Sequence, residues 1–372
     1  MMRTDQHPLP LGSANCQYSL SSFHYGVPGA RKAYLQASLH ADELPGMLVL
    51  HHLRELLEQA EAEGRLQGEI VLVPVANPIG LGQTFMHDQM GRFDFASGVN
   101  FNRGFPDLSQ QLIVLLADAL GDDAQRNIRL IRAGLRQLLD AAECRTPLDG
   151  MRIELMRLAH DADIVLDLHC DCEAVMHIYT QSDHVAEAER LGCYLGARVI
   201  LVADAVGGAC FDEMLFKPWL RLRAHYGAQF PVPQSCFAST VELRGEQDVS
   251  DQLAGADALG IYHYLCGAGM IVGAATPPPA AACAPTPLSG SATAYAGESG
   301  VISYLAEPGD MLQAGDLICS IVDPLSGHAY PVTSPIDGVM YSRVIFRYAT
   351  RGMELAKIAG KIERRSGNLL GP

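Results

Sequence analysis

The sequence predicts an α/β fold, a mostly parallel or mixed sheet with helices on both faces, followed by a small all-β sandwich. Three observations carry this expectation. Short Val-, Ile- and Leu-rich runs alternate with segments of helical period over about the first 265 residues. A Pro- and Ala-rich stretch, VGAATPPPAAACAPTPLSGSATA, interrupts the pattern at 272–294. Beyond it no long helical pattern occurs, and two half-segments with glycine turns resemble one another.

The apolar runs KAYLQASL (32–39), EIVLVPV (69–75), DIVLDL (163–168), RVILVA (198–203) and STVEL (239–243) read as short buried strands. Between them, a helix is expected from about Pro45 to about Glu63, opened by proline and stopped at Gly64. A second helical pattern covers about 110–143, broken near Gly121, and a third, DGMRIELMRLAHDAD, leads into the strand that carries His169. Such alternation places chemistry outside the carboxyl ends of the strands. In the C-terminal part Gly300 aligns with Gly338, Gly315 with Gly352 and Ile321 with Ile358, which suggests a pseudo-symmetric sandwich. The expected organisation is 1–270, a linker or crossover over 271–294, and a β domain over 295–372. That last domain reads as a structural or assembly module, because DPLSGHAYP between its halves has no lysine for a lipoyl or biotinyl group.

With 372 residues, 48% of them hydrophobic and 19% charged, the chain can bury a large core. Its 27 Lys and Arg against 42 Asp and Glu give −15, and there is no basic run, which disfavours nucleic acid or an anionic membrane as partner. Ten scattered cysteines and no secretion segment point to a cytoplasmic, reducing compartment. A homo-oligomer stays open.

His40 and Glu43 stand at i and i+3 where a strand gives way to a helix, so both side chains reach the same end of the sheet. Two His plus one Glu is a ligand set that leaves zinc a position for water, and His169, ending DIVLDLHC, is the third candidate. Asp167 is placed to orient that imidazole. Singly, His40 reads as a surface residue and His169 as a core-edge one; together with Glu43 at strand ends they read as a metal site. Glu242 lies inside an apolar strand, where a carboxylate is costly unless paired or functional. In GRFDFASGVNFNRGFPD, Arg103 sits between Phe101 and Phe105, and Arg92 is a second candidate. Either could fork onto a substrate carboxylate or pair internally with Asp94 or Asp107.

The ordered phrases SLHADELPG, NFNRGFP, DLHCD and TVELRG resemble the succinylglutamate desuccinylase/aspartoacylase family, a branch of the zinc carboxypeptidase-like fold, over about residues 30–265. Residues 295–360, with SPIDGV, are similar to the β domain in which many members end, itself like lipoyl and biotinyl carriers. The resemblance implies one zinc on His40, Glu43 and His169, with Asp167 as the Asp of the DxH motif. It implies Asn102 and Arg103 on a substrate carboxylate, Arg92 near the oxyanion and Glu242 as catalytic glutamate. Ala41 replaces the usual glycine, and the stretch from Arg92 to Asn102 is longer than in aspartoacylases, which leaves the substrate open.

The expected activity is zinc-dependent hydrolysis of an N-acyl amino acid or related small carboxylate. The alternative is a metallocarboxypeptidase acting on a small peptide or peptidoglycan fragment. A Cys170 nucleophile would predict indifference to chelators, and a non-catalytic module would predict a missing ligand or base, which is not seen.

Overall fold

The computed structural model describes every residue except 1, 11, 15, 274, 275, 368 and 370–372. Among the described residues the main sheet has nine strands. They are β1 (Arg3–Pro8), β2 (Ser19–Gly26), β3 (Lys32–Ala37), β4 (Glu69–Val73), β5 (Ile164–Asp171), β6 (His177–Thr180), β7 (Val199–Val202), β8 (Phe237–Gly245) and β9 (Thr286–Pro287). Their order is β1-β2-β4-β3-β5-β8-β6-β7-β9. The centre, β4-β3-β5-β8, is parallel, whereas β6 runs antiparallel to β8, and the sheet is therefore mixed.

Both faces are covered, which explains the unbroken apolar runs. Along β3, Tyr34 enters one core and Leu35 the other; along β5, Val165 and Leu166 divide in the same way, all four fully buried. One core is closed by α1 (Pro45–Ala62) and two later helices through Leu50, Leu53, Leu191 and Ile261. On the other, Leu112 of α2 (Ser109–Leu115), Leu135 of α3 (Ala124–Asp140) and Leu155 of α4 (Pro147–Ala159) pack together. The later helices are α5 (Val185–Leu195), α6 (Phe211–Tyr226) and α7 (Asp251–Gly267). No described helix is long and apolar enough to cross a membrane.

One boundary follows the sequence pattern and one differs from it. The 110–143 segment divides into α2 and α3, and Asn127 bonds both the N–H (3.0 Å) and the C=O (2.6 Å) of Gly121 in the break. Strand β5 continues to Asp171, so His169 lies within the strand and not at its end.

Two antiparallel sheets follow. One has the order β10-β17-β15-β12 and the other β14-β13-β11-β16. Their strands are β10 (Ala292–Tyr295), β11 (Gly300–Tyr304), β12 (Met311–Leu312), β13 (Leu317–Val322), β14 (Ala329–Thr333), β15 (Gly338–Arg343), β16 (Tyr348–Ala349) and β17 (Glu354–Ala359). They share one core that contains Ile302, Ile321, Met340 and Ile358. The sequence repeat has a steric counterpart. A Cβ on Gly300 would lie 2.4 Å from the carbonyl oxygen of Val322, and one on Gly338 2.2 Å from that of Ala359. The Pro- and Ala-rich segment holds β9, which adds an edge to the main sheet beside β7. A further contact brings the two parts together: Glu173 and Ala174, just past β5, pair with Arg343 and Ser342 of β15.

Candidate metal centre

Strand β3 ends at Ala37, and Ser38, a non-glycine residue at φ 62°, turns the chain out of the sheet. The next turn is closed by Glu43 N–H donating to the His40 carbonyl (3.2 Å), and Pro45 then opens α1. Asn77 braces this turn by donating to the Leu39 carbonyl (2.9 Å), and Gly91 accepts from Ala41 N–H (2.9 Å). Backbone contact at Gly91 is so close that a Cβ there would stand 2.1 Å from Asp42 N.

His40, Glu43 and His169 are buried at 4%, 4% and 3% exposure, and their ligand atoms lie within 4.8 Å of one another. Nδ1 of each imidazole is 2.7 Å from a Glu43 oxygen, His40 on Oε1 and His169 on Oε2. Each Nε2 is engaged behind. That of His40 is 2.8 Å from Asn100 Oδ1, and that of His169 is 3.0 Å from Asp167 Oδ2. Asp167, fully buried, in turn accepts from Gln36 Nε2 (2.9 Å), whose Oε1 accepts from Tyr34 (2.8 Å). Asn100 Oδ1 only accepts, so His40 Nε2 carries hydrogen and its Nδ1 lone pair faces inward, whereas His169 meets Asp167 at ion-pair distance and turns its Nδ1 to Glu43.

Two buried ring nitrogens converging on one carboxylate form a group that could hold a cation. Burial resists charge on Glu43, but the two imidazoles outweigh it and hold the carboxyl well below its ordinary range. Burial pushes His40 down. His169 is also resisted by burial, yet Asp167 and Glu43 push it well up. The nitrogen and oxygen donor set, its burial and its carboxylate and amide partners behind the rings fit a divalent ion such as zinc.

Glu242 lies on β8, where its Cα pairs with His169 of β5 on one side and His177 of β6 on the other. Its Oε2 is buried without a hydrogen-bond partner. Burial first, then the charge of Glu43, pushes its carboxyl up to about 8. A bulge just beyond it puts Arg244 at φ 66° and forks that guanidinium onto Asp257 of α7 (Nη1 to Oδ1 3.2 Å). Arg92 reaches Glu43 Oε1 (3.2 Å) and lies 3.4 Å from His40 Nδ1, with about half its side chain exposed, 47%. Arg92 therefore pairs with Glu43, while Asp107 pairs with Lys217 (3.0 Å).

Asn102 accepts from Phe211 N–H at the start of α6 (2.9 Å), and Arg103 donates to the Asn102 carbonyl (2.8 Å) and to Cys210 Sγ (3.3 Å). Gly208, at φ 82°, leaves room for this arginine, since a Cβ there would be 2.5 Å from Arg103 Cδ. The His40–Glu43–His169 group, Glu242, Arg92, Asn102 and Arg103 all line one cavity of about 620 Å³, and Asp167 stands behind it. Cys170 also lines it, but burial, chiefly, pushes its thiol far up, which makes it a poor nucleophile.

Residues 29–197 match the succinylglutamate desuccinylase/aspartoacylase catalytic domain. This stretch, a little under half of the chain, is similar to that domain. A family protein from Shewanella amazonensis superposes with TM-score 0.84 at 27% identity over 95% of this chain and 98% of that one. A second, from Shewanella frigidimarina, gives 0.83 at 26% identity over 97% of each. A third, from Rhodobacter sphaeroides, shares the fold at TM-score 0.67 and 16% identity over 97% of this chain and 96% of that one. No curated protein matches the chain.

Several residues around the His40–Glu43–His169 group carry no signal in the sequence. Asn100, not Asn102, contacts His40, and nothing in NFN separates the two roles beforehand. Gln36 is one more polar residue in a strand. Lys357, Tyr341 and Tyr295 line the same cavity from the C-terminal sheet, more than 100 residues away in sequence.

Proposed function

We propose that the protein is a metal-dependent deacylase that hydrolyses the amide of an N-acyl amino acid or a similar small N-acylated carboxylate, with zinc, one per chain, as the ion. The observation that carries this reading is the pairing of Glu242 with His169 across β8 and β5, which sets an unpartnered buried carboxylate oxygen beside the His40–Glu43–His169 group. A divalent ion held by those three residues supplies Lewis acidity and makes water nucleophilic near neutral pH. Glu242 takes the proton of the attacking water and then delivers it to the leaving nitrogen. Arg92, already within 3.2 Å of Glu43, donates to the oxygen on which charge develops. Arg103 forks onto the substrate carboxylate and, with Asn102, selects which bond meets the nucleophile.

The ten free cysteines accord with a reducing compartment, proposed as the cytoplasm. The division at 271 and 295, with the last part a β-sandwich of carrier-like type, belongs to the same reading.

The test is Glu242→Gln assayed with N-acetyl, N-succinyl and N-formyl amino acids. Metal content should be unchanged and kcat should fall by about 10²–10⁴. Full activity in that variant would remove the glutamate from the mechanism. Preference for short peptides over N-acyl amino acids in the wild type would favour a carboxypeptidase. Chelation should abolish turnover and added zinc restore it, whereas Cys170→Ala should leave it largely intact.

A further inference from the structure

The cavity is walled by two parts of the chain. The C-terminal sheet contributes one face: Thr293 pairs with Lys357 and Tyr295 with Glu354 across β10 and β17, and all four side chains line the cavity together with Tyr341. Their neighbours Ala294, Leu355, Ala356 and Ile358 turn the other way into the sandwich core. This sheet thus has an apolar inner face and a polar face turned to the site.

On that polar face Lys357 Nζ lies 2.7 Å from Asp171 Oδ2. Asp171 ends β5, two residues beyond His169, and its Oδ1 accepts from Cys172 N–H (2.9 Å). Both partners line the cavity, with side-chain exposures of 33% for Lys357 and 14% for Asp171. The cavity lining also holds the carboxyl groups of Glu43, Asp212, Glu242 and Glu354, against Arg92, Arg103 and Arg365. Without Lys357, Asp171 would stand as an uncompensated anion in the space that must admit a carboxylate. Inside a half-enclosed cavity such a charge is screened far less than in bulk water.

We propose that Lys357, brought from the C-terminal sheet, is a specificity-determining residue: by neutralising Asp171 within the cavity it allows the site to accept an anionic substrate. The proposal rests on the cavity being the binding site for a small N-acyl carboxylate, as argued above. A tether between the two parts of the chain is a poorer account of the pair. Arg343 already holds Glu173 at 2.5 Å, and Glu173 and Ala174 pair with β15, so docking survives loss of one ion pair.

The experiment compares Lys357→Met and the double variant D171N/K357M in zinc-loaded, full-length protein carrying Glu242→Gln to prevent turnover. N-acetylglycine and its neutral analogue N-acetylglycinamide are titrated calorimetrically, and thermal midpoints confirm folding. Lys357→Met should weaken N-acetylglycine about ten-fold or more, as expected for one unbalanced charge at cavity distance. The amide should bind as before, and D171N/K357M should return N-acetylglycine to within about three-fold of the parent. Unchanged N-acetylglycine binding in Lys357→Met overturns the proposal, as does equal weakening of the amide or a double variant that stays weak. Lack of discrimination between acid and amide in the parent also overturns it. Since only binding is read, a protein that binds but never hydrolyses would refute the deacylase reading and leave this one standing.

Discussion

Each imidazole of the candidate metal group has one acceptor close behind it, Asn100 for His40 and Asp167 for His169. Removing either frees the ring to rotate and to exchange its tautomer, so Asn100→Ala and Asp167→Asn should each weaken zinc by about 10–100-fold in competition with a chromophoric chelator. An affinity unchanged in both would mean that the rings are positioned by packing alone. Glu242 gives a pH prediction. Its carboxyl is raised from the ordinary range to about 8, first by burial and then by Glu43, so the folded metal-free protein holds this proton more tightly than the unfolded chain. The associated stability is present below the unfolded value near 4.3 and lost as pH climbs towards about 8. In metal-free protein the melting-temperature advantage of Glu242→Gln over wild type should therefore grow between pH 5 and 8.5; a constant difference would count against the shift. At this scale the candidate ligands are legible because His, Glu and His together at the ends of apolar runs have few other uses. Asn100 is not, because an amide's partner is a matter of where it points.

At the scale of elements, the strands that carry the site are readable because two cores make them continuously apolar, as with Ile164, Val165 and Leu166. Elements without that signature are not. β1 is RTDQHP, polar along an exposed edge, and α6 has Pro218 inside and apolar residues on most of its circumference, including Phe211, Met214, Phe216 and Leu220. The loop after Pro78 shows no apolar periodicity, yet one of its glycines is pressed against the turn that carries His40 and Glu43. Gly91→Ala would force a Cβ against backbone at 2.1 Å, so the His40–Glu43 turn must move. We expect a loss of about 1–3 kcal/mol in denaturant unfolding and reduced zinc occupancy. A Cβ on Gly255 of α7 would meet nothing within 4 Å, so Gly255→Ala should be neutral or stabilise by up to about 1 kcal/mol. Equal losses in the two variants would show that the Gly91 contact is not special.

Across the whole molecule, the sequence divides at a Pro- and Ala-rich segment, whereas the contacts do not. Val199 and Leu201 of β7 share a buried cluster with Leu288, Tyr341 and Ala359. That cluster lies beside the Lys357–Asp171 pair and the backbone pairing of Glu173 and Ala174 with β15. Composition could mark the boundary but could not reveal that the second part is anchored beside the strand bearing His169, because the anchors are individual residues from distant segments. A module joined only by a linker would unfold by itself. Here its departure would strip Tyr341 from a shared core and leave Asp171 buried without its cation. Calorimetry of the full chain should accordingly show one cooperative transition, with calorimetric and van't Hoff enthalpies in agreement. Tyr341→Ala should lower that transition as a unit, by about 3–5 kcal/mol if its cost matches other buried aromatic truncations. Two resolved transitions in the wild type, with only the smaller one displaced by the variant, would show instead that the C-terminal sheet is an independent body resting against the site.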